Sequence, residues 1–246
     1  MKIQLEDFLM HYEEKGDGEP LVLLHGNGED LGYFAGQMEY FRETYRVIAL
    51  DTRGHGESER GTAPFTLEQF GRDLYDCLRK METGPVHLLG FSDGGNIALA
   101  FGREHPEMVR SLILNGANLD PWGVKLSVQL PIVAGYGMVS LLAPFLRDCR
   151  RKKEILGLMV REPHYEKADL EALTMPVLVI AGDRDMIRES HTRRIAREIK
   201  GSRLIILPGS HFLAKENKEA FNRAVEAFLD EVRAKEAEDC GQRKDG

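Results

Sequence analysis

Cysteine is scarce, positive charge is in deficit, and the start of the chain lacks a long apolar run. The three cysteines, Cys77, Cys149 and Cys240, lie far apart with no C-x-x-C spacing. An odd, scattered set of thiols argues against a disulfide framework or a zinc site and fits a reducing cytosol. Cys77 falls in a helical pattern and reads as a small core residue. The opening MKIQLEDFLMHYEEKG has neither the apolar run nor the small-residue cleavage site of a secretory signal, so a cytoplasmic protein is expected. Lysine and arginine number 33 against 40 aspartates and glutamates, a net charge of −7. Nucleic acid is therefore excluded as the expected partner, because a phosphate backbone requires a basic face.

One apolar run does occur, in mid-chain. LSVQLPIVAGYGMVSLLAPFL, residues 126–146, is uncharged and long enough to cross a bilayer. Pro131, Gly135, Gly137, Pro144 and Gln129 interrupt it, and it sits inside a soluble pattern. It reads as a buried or cleft-lining helical segment, not as a transmembrane span. The basic cluster RDCRRKK (147–153) follows. Its default reading is a solvated helix face, and contact with a membrane surface is the alternative.

What the chain has in abundance is alternation. Short apolar runs, PLVLLHG (20–26), YRVIALD (45–51), PVHLLGF (85–91), RSLILNG (110–116), PVLVIAGD (176–183) and SRLIILPG (202–209), read as strands. Between and after them, FTLEQFGRDLYDCLRKM (65–81), GGNIALAFGREHPEMV (94–109), HTRRIAREIK (191–200) and KENKEAFNRAVEAFLDEVRAK (215–235) carry helical spacing. Apolar strands without alternation, separated by helices, predict an α/β fold with a mostly parallel sheet covered on both faces. Residues 2–14 add an antiparallel edge hairpin. The alternation breaks in mid-chain, which predicts an α/β core of residues 1–117 and 175–236, a helical cap insertion over 118–174, and a flexible tail over 237–246. A chain of 246 residues can bury one large core without a second domain.

GFSDG (90–94) stands between a strand and a helix. A serine hydroxyl becomes a useful nucleophile only when a base takes its proton. A sharp strand-to-helix turn, flanked by glycines, lifts that hydroxyl clear of the backbone and aims a helix N-terminus at it. An acid and then a histidine are required later in the chain, each beyond a strand. PVLVIAGDRD supplies Asp183 and Asp185, and LIILPGSHF supplies His211. In this arrangement Ser92 is the nucleophile, His211 the base and then acid, and one aspartate orients the imidazole. The backbone N–H of Asp93 and that of Asn27, in the loop HGNGED (25–30), are the expected oxyanion donors. The Asp93 carboxylate, near a helix N-terminus, could also bias the site against acidic substrates. His25 and His55, in glycine loops, are expected to be structural. His11, His87, His105, His164 and His191 show no ligand spacing.

These stretches carry a resemblance. HGNG (25–28), DTRGHGES (51–58), GFSDGG (90–95), GDRD (182–185) and PGSH (208–211) occur in the order seen in the α/β-hydrolase fold family, over Pro20 to Lys235. The sequence is similar to compact bacterial serine esterases with a short helical cap. The resemblance implies a serine hydrolase with no cofactor, and an acid three residues after the strand-ending glycine, which selects Asp185. It implies cleavage of a small carboxylic ester, with thioester, lactone, amide or peptide, or C–C bond hydrolysis as alternatives on the same scaffold. A slow or inactive ligand sensor is a further alternative. Trp122, Leu126, Leu130, Tyr136 and Met138 of the insertion are candidates to line an acyl pocket. The expected partner is thus a small ester-type molecule with an apolar acyl or aromatic group.

Overall fold

The computed structural model describes residues 1–242. Eight strands form one sheet: β1 (Lys2–Gln4), β2 (Leu9–Lys15), β3 (Glu19–Leu24), β4 (Tyr45–Leu50), β5 (Val86–Phe91), β6 (Val109–Asn115), β7 (Val177–Gly182) and β8 (Arg203–Leu207). Their spatial order is β1-β2-β4-β3-β5-β6-β7-β8. The β1–β2 and β2–β4 pairs are antiparallel, as the edge hairpin predicted. All pairs from β4 through β8 are parallel.

The apolar strands are apolar because both faces are covered. Along β3, Val22 and Leu24 point into one core with Phe70 and Leu74 of α2 (Leu67–Lys80) and Ile97 and Phe101 of α3 (Asp93–Glu104). Leu21 and Leu23 point to the other face. There they meet Phe41 of α1 (Ala35–Phe41) and Phe221, Val225 and Leu229 of α9 (Lys218–Gln242). The α2 start has a physical cause in Thr66, whose hydroxyl accepts the Gln69 N–H at 3.2 Å.

Two elements differ from the sequence reading. A 3₁₀ turn (Leu31–Phe34) followed by α1 fills a stretch to which no element was assigned. Its signal was present: Tyr33, Phe34, Met38 and Phe41 recur at helical spacing and are buried. The expected tail is helical over 237–242, because α9 continues to Gln242 through Glu- and Ala-rich sequence of high helix propensity. Residues 243–246 and the side chain of Cys240 lie outside the described residues.

Between β6 and β7 stand a 3₁₀ turn (Pro121–Gly123), α4 (Leu126–Leu142), α5 (Arg147–Arg161) and α6 (Lys167–Glu171), with no strand. α4 runs through Pro131 without ending there. Among the described residues no helix is long and apolar enough to cross a membrane. The insertion is tied to the core at several points. The Asn27 Nδ2 donates to the Ile155 carbonyl at 2.8 Å, and Arg151 donates to the Gly54 carbonyl at 3.1 Å. Arg60 grips Glu154 bidentately at 2.9 and 2.6 Å.

Candidate active site

The sheet reverses its winding direction at β3: the next strand in sequence, β4, lies on one side of it and β5 on the other. The carboxyl ends of the strands on either side of such a switch point are where open α/β sheets bind ligands. The 25–28 loop follows β3, and the serine turn follows β5. Their proximity is direct: a Cβ on Gly26 would lie 2.9 Å from the Phe91 ring and 3.2 Å from the Ser92 Cβ.

Ser92 sits at the tip of the turn with φ 54° and ψ −119°, a left-handed conformation that costs a side-chain-bearing residue energy. Surrounding bonds hold it. Its N–H donates to the Asn115 carbonyl at 2.8 Å, and its carbonyl accepts from Gly95 and Asn96. The glycines on either side are required by close approach. A Cβ at Gly90 would overlap the Gly94 carbonyl, and one at Gly94 would overlap the Leu24 carbonyl.

His211 arrives from the loop after β8 and is buried, as is Asp185 from the loop after β7. The His211 Nε2 lies 3.0 Å from the Ser92 Oγ, and its Nδ1 lies 2.7 Å from Asp185 Oδ1. Asp185 is itself anchored, since Oδ1 also accepts the Ile187 N–H at 2.8 Å. Serine, imidazole and carboxylate therefore form a continuous hydrogen-bonded chain. Such a chain can move a proton from hydroxyl to imidazole while the carboxylate stabilises the resulting imidazolium.

The two aspartates separate cleanly. Asp183 is exposed and accepts the Gly209 N–H at 2.9 Å, which ties the β7 loop to the loop that carries His211. It does not reach the imidazole. Gly116 is a site residue that the sequence reading missed. It has φ +68°, and a Cβ there would stand 2.8 Å from the His211 Cε1 and 2.9 Å from its Nδ1. Its only signal was its place at the end of a parallel strand.

Asp93 is the first residue of α3, so its N–H has no acceptor within the helix. Its carboxyl is buried. Oδ1 accepts from the Asn96 Nδ2 at 3.0 Å, and Oδ2 has no protein partner. Burial outweighs the Asn96 bond and pushes this carboxyl up to about 6. Asn27 has its side chain committed to α5, which leaves its backbone in the loop beside Ser92.

His25 and His55 are structural, as expected. The His25 Nδ1 donates to the Gly26 carbonyl at 2.7 Å, and its Nε2 accepts the Thr52 N–H at 3.0 Å. Burial lowers its pKa and pushes His55 down to about 3. Both rings thus stay neutral and brace the loops. Cys77 is buried, and burial pushes its thiol up to about 12, which makes it unreactive. Arg53 is fully buried yet paired, bidentate to Asp73 at 2.8 and 2.7 Å.

The cap candidates do not gather at the serine. Trp122, Leu126, Leu130 and Met138 are exposed. Tyr136 is half-buried over Gly157, with the Arg161 guanidinium 5.1 Å from its ring. The helix that meets the site is α5, through Ile155, which lies against Gly28 and holds Asn27. The reason is the inward face of α4: Gln129 turns inward and donates to the Met159 carbonyl of α5, and the apolar positions are left outside. Aromatic rings near His211 come instead from the core. Phe91 lies 4.8 Å from the His211 ring, with Tyr33 stacked on it at 4.0 Å, and exposed Phe212 flanks them. A cavity of about 590 Å³ opens between α5 and the Pro64–Thr66 loop, lined by Phe65, Leu158 and Glu162 among others.

Comparison with known proteins agrees with this architecture. A family model for the alpha/beta hydrolase fold matches residues 19–139. The chain is 26% identical to an (E)-2-((N-methylformamido)methylene)succinate hydrolase of Acinetobacter baylyi, covering 89% of this chain and 94% of that protein. It is 27% identical to the serine hydrolase BPHL of Homo sapiens, covering 93% of this chain and 85% of that protein. Among solved structures it is similar to a thermophilic esterase from Thermogutta terrifontis, with a TM-score of 0.79 at 22% identity, covering 94% and 99% of the two chains. The sheet order, the turn after β5 and these matches together show that the chain has the α/β-hydrolase fold.

Proposed function

We propose that the protein is a serine hydrolase that cleaves a small carboxylic ester through an acyl-enzyme on Ser92. The observation that carries this reading is the unbroken chain from the Ser92 Oγ through His211 to Asp185. In the first step the Ser92 oxygen attacks the ester carbonyl while the His211 Nε2 takes the hydroxyl proton. The tetrahedral oxyanion is met by the backbone N–H groups of Asn27 and Asp93. His211 then gives its proton to the departing alkoxide, and water repeats the sequence to release the acid. Asp185 holds Nδ1–H and stabilises the imidazolium. The relatives named above, both called hydrolases, support the class of reaction. The fold supports ester, thioester, lactone, amide and C–C bond cleavage alike, and the substrate panel below decides among them.

The test is labelling of the purified protein with a fluorophosphonate, followed by peptide mapping. An adduct on Ser92 that disappears in His211→Ala supports the reading. Absence of the adduct in the parent protein would refute it and favour a binding protein without turnover. A panel of chromogenic esters, thioesters and lactones then ranks the bonds cleaved.

A further inference from the structure

α4 leaves one apolar face exposed. Its exposed stripe runs Leu130, Pro131, Ala134, Met138, Leu141 and Leu142, at the i, i+4, i+7 spacing of a single helix face. Along it Leu130 is 56% exposed, Met138 65%, Leu141 77% and Leu142 41%, and Phe145 just beyond the helix is 82% exposed. Meanwhile Gln129, a polar side chain, is 1% exposed. Of the eleven exposed large hydrophobic residues among the described part of the chain, eight fall between Trp122 and Leu146. Single exposed leucines are ordinary, but a continuous apolar stripe marks a surface meant to be covered.

What stands next to the stripe identifies the cover. α5 begins at once after Leu146 and carries Arg147, Arg150, Arg151, Lys152 and Lys153 against one acid, Asp148, in its first two turns. Arg150 reaches back to the Ala143 carbonyl at 3.1 Å, which brings this basic turn to the end of the stripe. The placement is electrostatically unfavourable for the helix, whose N-terminus prefers negative charge. An external anion would offset that cost. The rest of the molecule is acidic, since the whole chain carries −7 despite this cluster. A second copy of the chain is the competing occupant, and the sedimentation measurement below separates it from a lipid surface.

We propose that the α4 stripe and the basic first turns of α5 form a docking surface for a bilayer bearing anionic phospholipid. The apolar stripe enters the headgroup–acyl boundary, and the exposed Arg147 and Lys152 sit among the lipid phosphates. The acidic remainder of the molecule faces away. This places α5, which also carries Ile155 against the 25–28 loop, between the lipid surface and Ser92. The inference does not depend on the hydrolase reading.

The test is flotation of the full chain with vesicles of phosphatidylcholine alone and with phosphatidylglycerol at a roughly 3:1 ratio. Binding is expected to the mixed vesicles and to weaken as salt rises from about 0.05 to 0.5 M. Arg147→Gln with Lys152→Gln is expected to lower the partition coefficient about 25-fold. Leu141→Glu with Phe145→Glu, at the two most exposed positions, is expected to abolish binding. Far-ultraviolet circular dichroism and thermal unfolding serve as fold controls for every variant. No binding to the mixed vesicles, or binding that survives Leu141→Glu with Phe145→Glu, would overturn the proposal. A dimer in sedimentation that those changes disperse, without vesicle binding, would assign the surface to a second copy and overturn it too.

Discussion

The sharpest prediction sets Asp185→Asn against Asp183→Asn, two neutralisations two residues apart in sequence. Asp185 Oδ1 accepts from both the His211 Nδ1 and the Ile187 N–H, while Oδ2 is buried without a partner. An asparagine has two ways to fit. With its oxygen on His211, the amide NH₂ occupies the Oδ2 position and buries donors that lack acceptors. With its NH₂ on His211, the imidazole must present a bare Nδ1, which puts the proton on Nε2, the nitrogen that has to accept from Ser92. Either way the base is lost or the imidazolium loses its counter-charge, and kcat falls about 10⁴-fold, close to 5 kcal/mol of barrier. Asp183 only accepts the Gly209 N–H, which an asparagine oxygen also accepts. The change there replaces a charge-assisted bond by a neutral one, and kcat falls less than about fivefold. The assay is steady-state hydrolysis of a chromogenic ester found active in the panel, with unfolding curves to confirm that both variants are folded. Equal losses, or the larger loss in Asp183→Asn, would refute the assignment.

Three further outcomes follow from the same geometry. Ser92→Gly removes the proposed nucleophile and relieves the positive φ, so urea unfolding should show a gain of about 1 kcal/mol while ester turnover vanishes; a loss of stability would contradict the strain. The Asp93 carboxyl titrates near 6 when folded against 3.8 when unfolded. The native state therefore holds the extra proton between these values, and stability should fall by about 3 kcal/mol in all as pH rises from about 3 to about 7, roughly 2 kcal/mol of it between pH 4 and 6, then level off. In Asp93→Asn that part of the pH slope should disappear, which urea titrations across the range will check. Gly116→Ala places a methyl against the His211 ring, so kcat should drop by about 100-fold or more with the fold retained, and unchanged turnover would show that the ring can move aside.

The primary sequence alone specified the alternating strands, the doubly covered sheet, the edge hairpin and the order serine, acid, histidine. These are local matters: burial on both faces writes continuous apolar runs, and a nucleophile turn writes glycines at fixed offsets. α1 went unassigned because its buried residues lack a strong start signal and sit among glycines. Folding in three dimensions settled what depends on residues far apart in the chain. Asp185 meets His211 and Asp183 does not, because Ile187 and Gly209 each hold one of them in place. Gly116 matters because a histidine 95 positions later lies across it. Most of all, the apolar run of 126–146 was legible as a helix but not its direction of facing. A helix apolar on all sides has no amphipathic signal to orient it, so packing against α5, through Gln129 and Tyr136 among others, determined which side became surface.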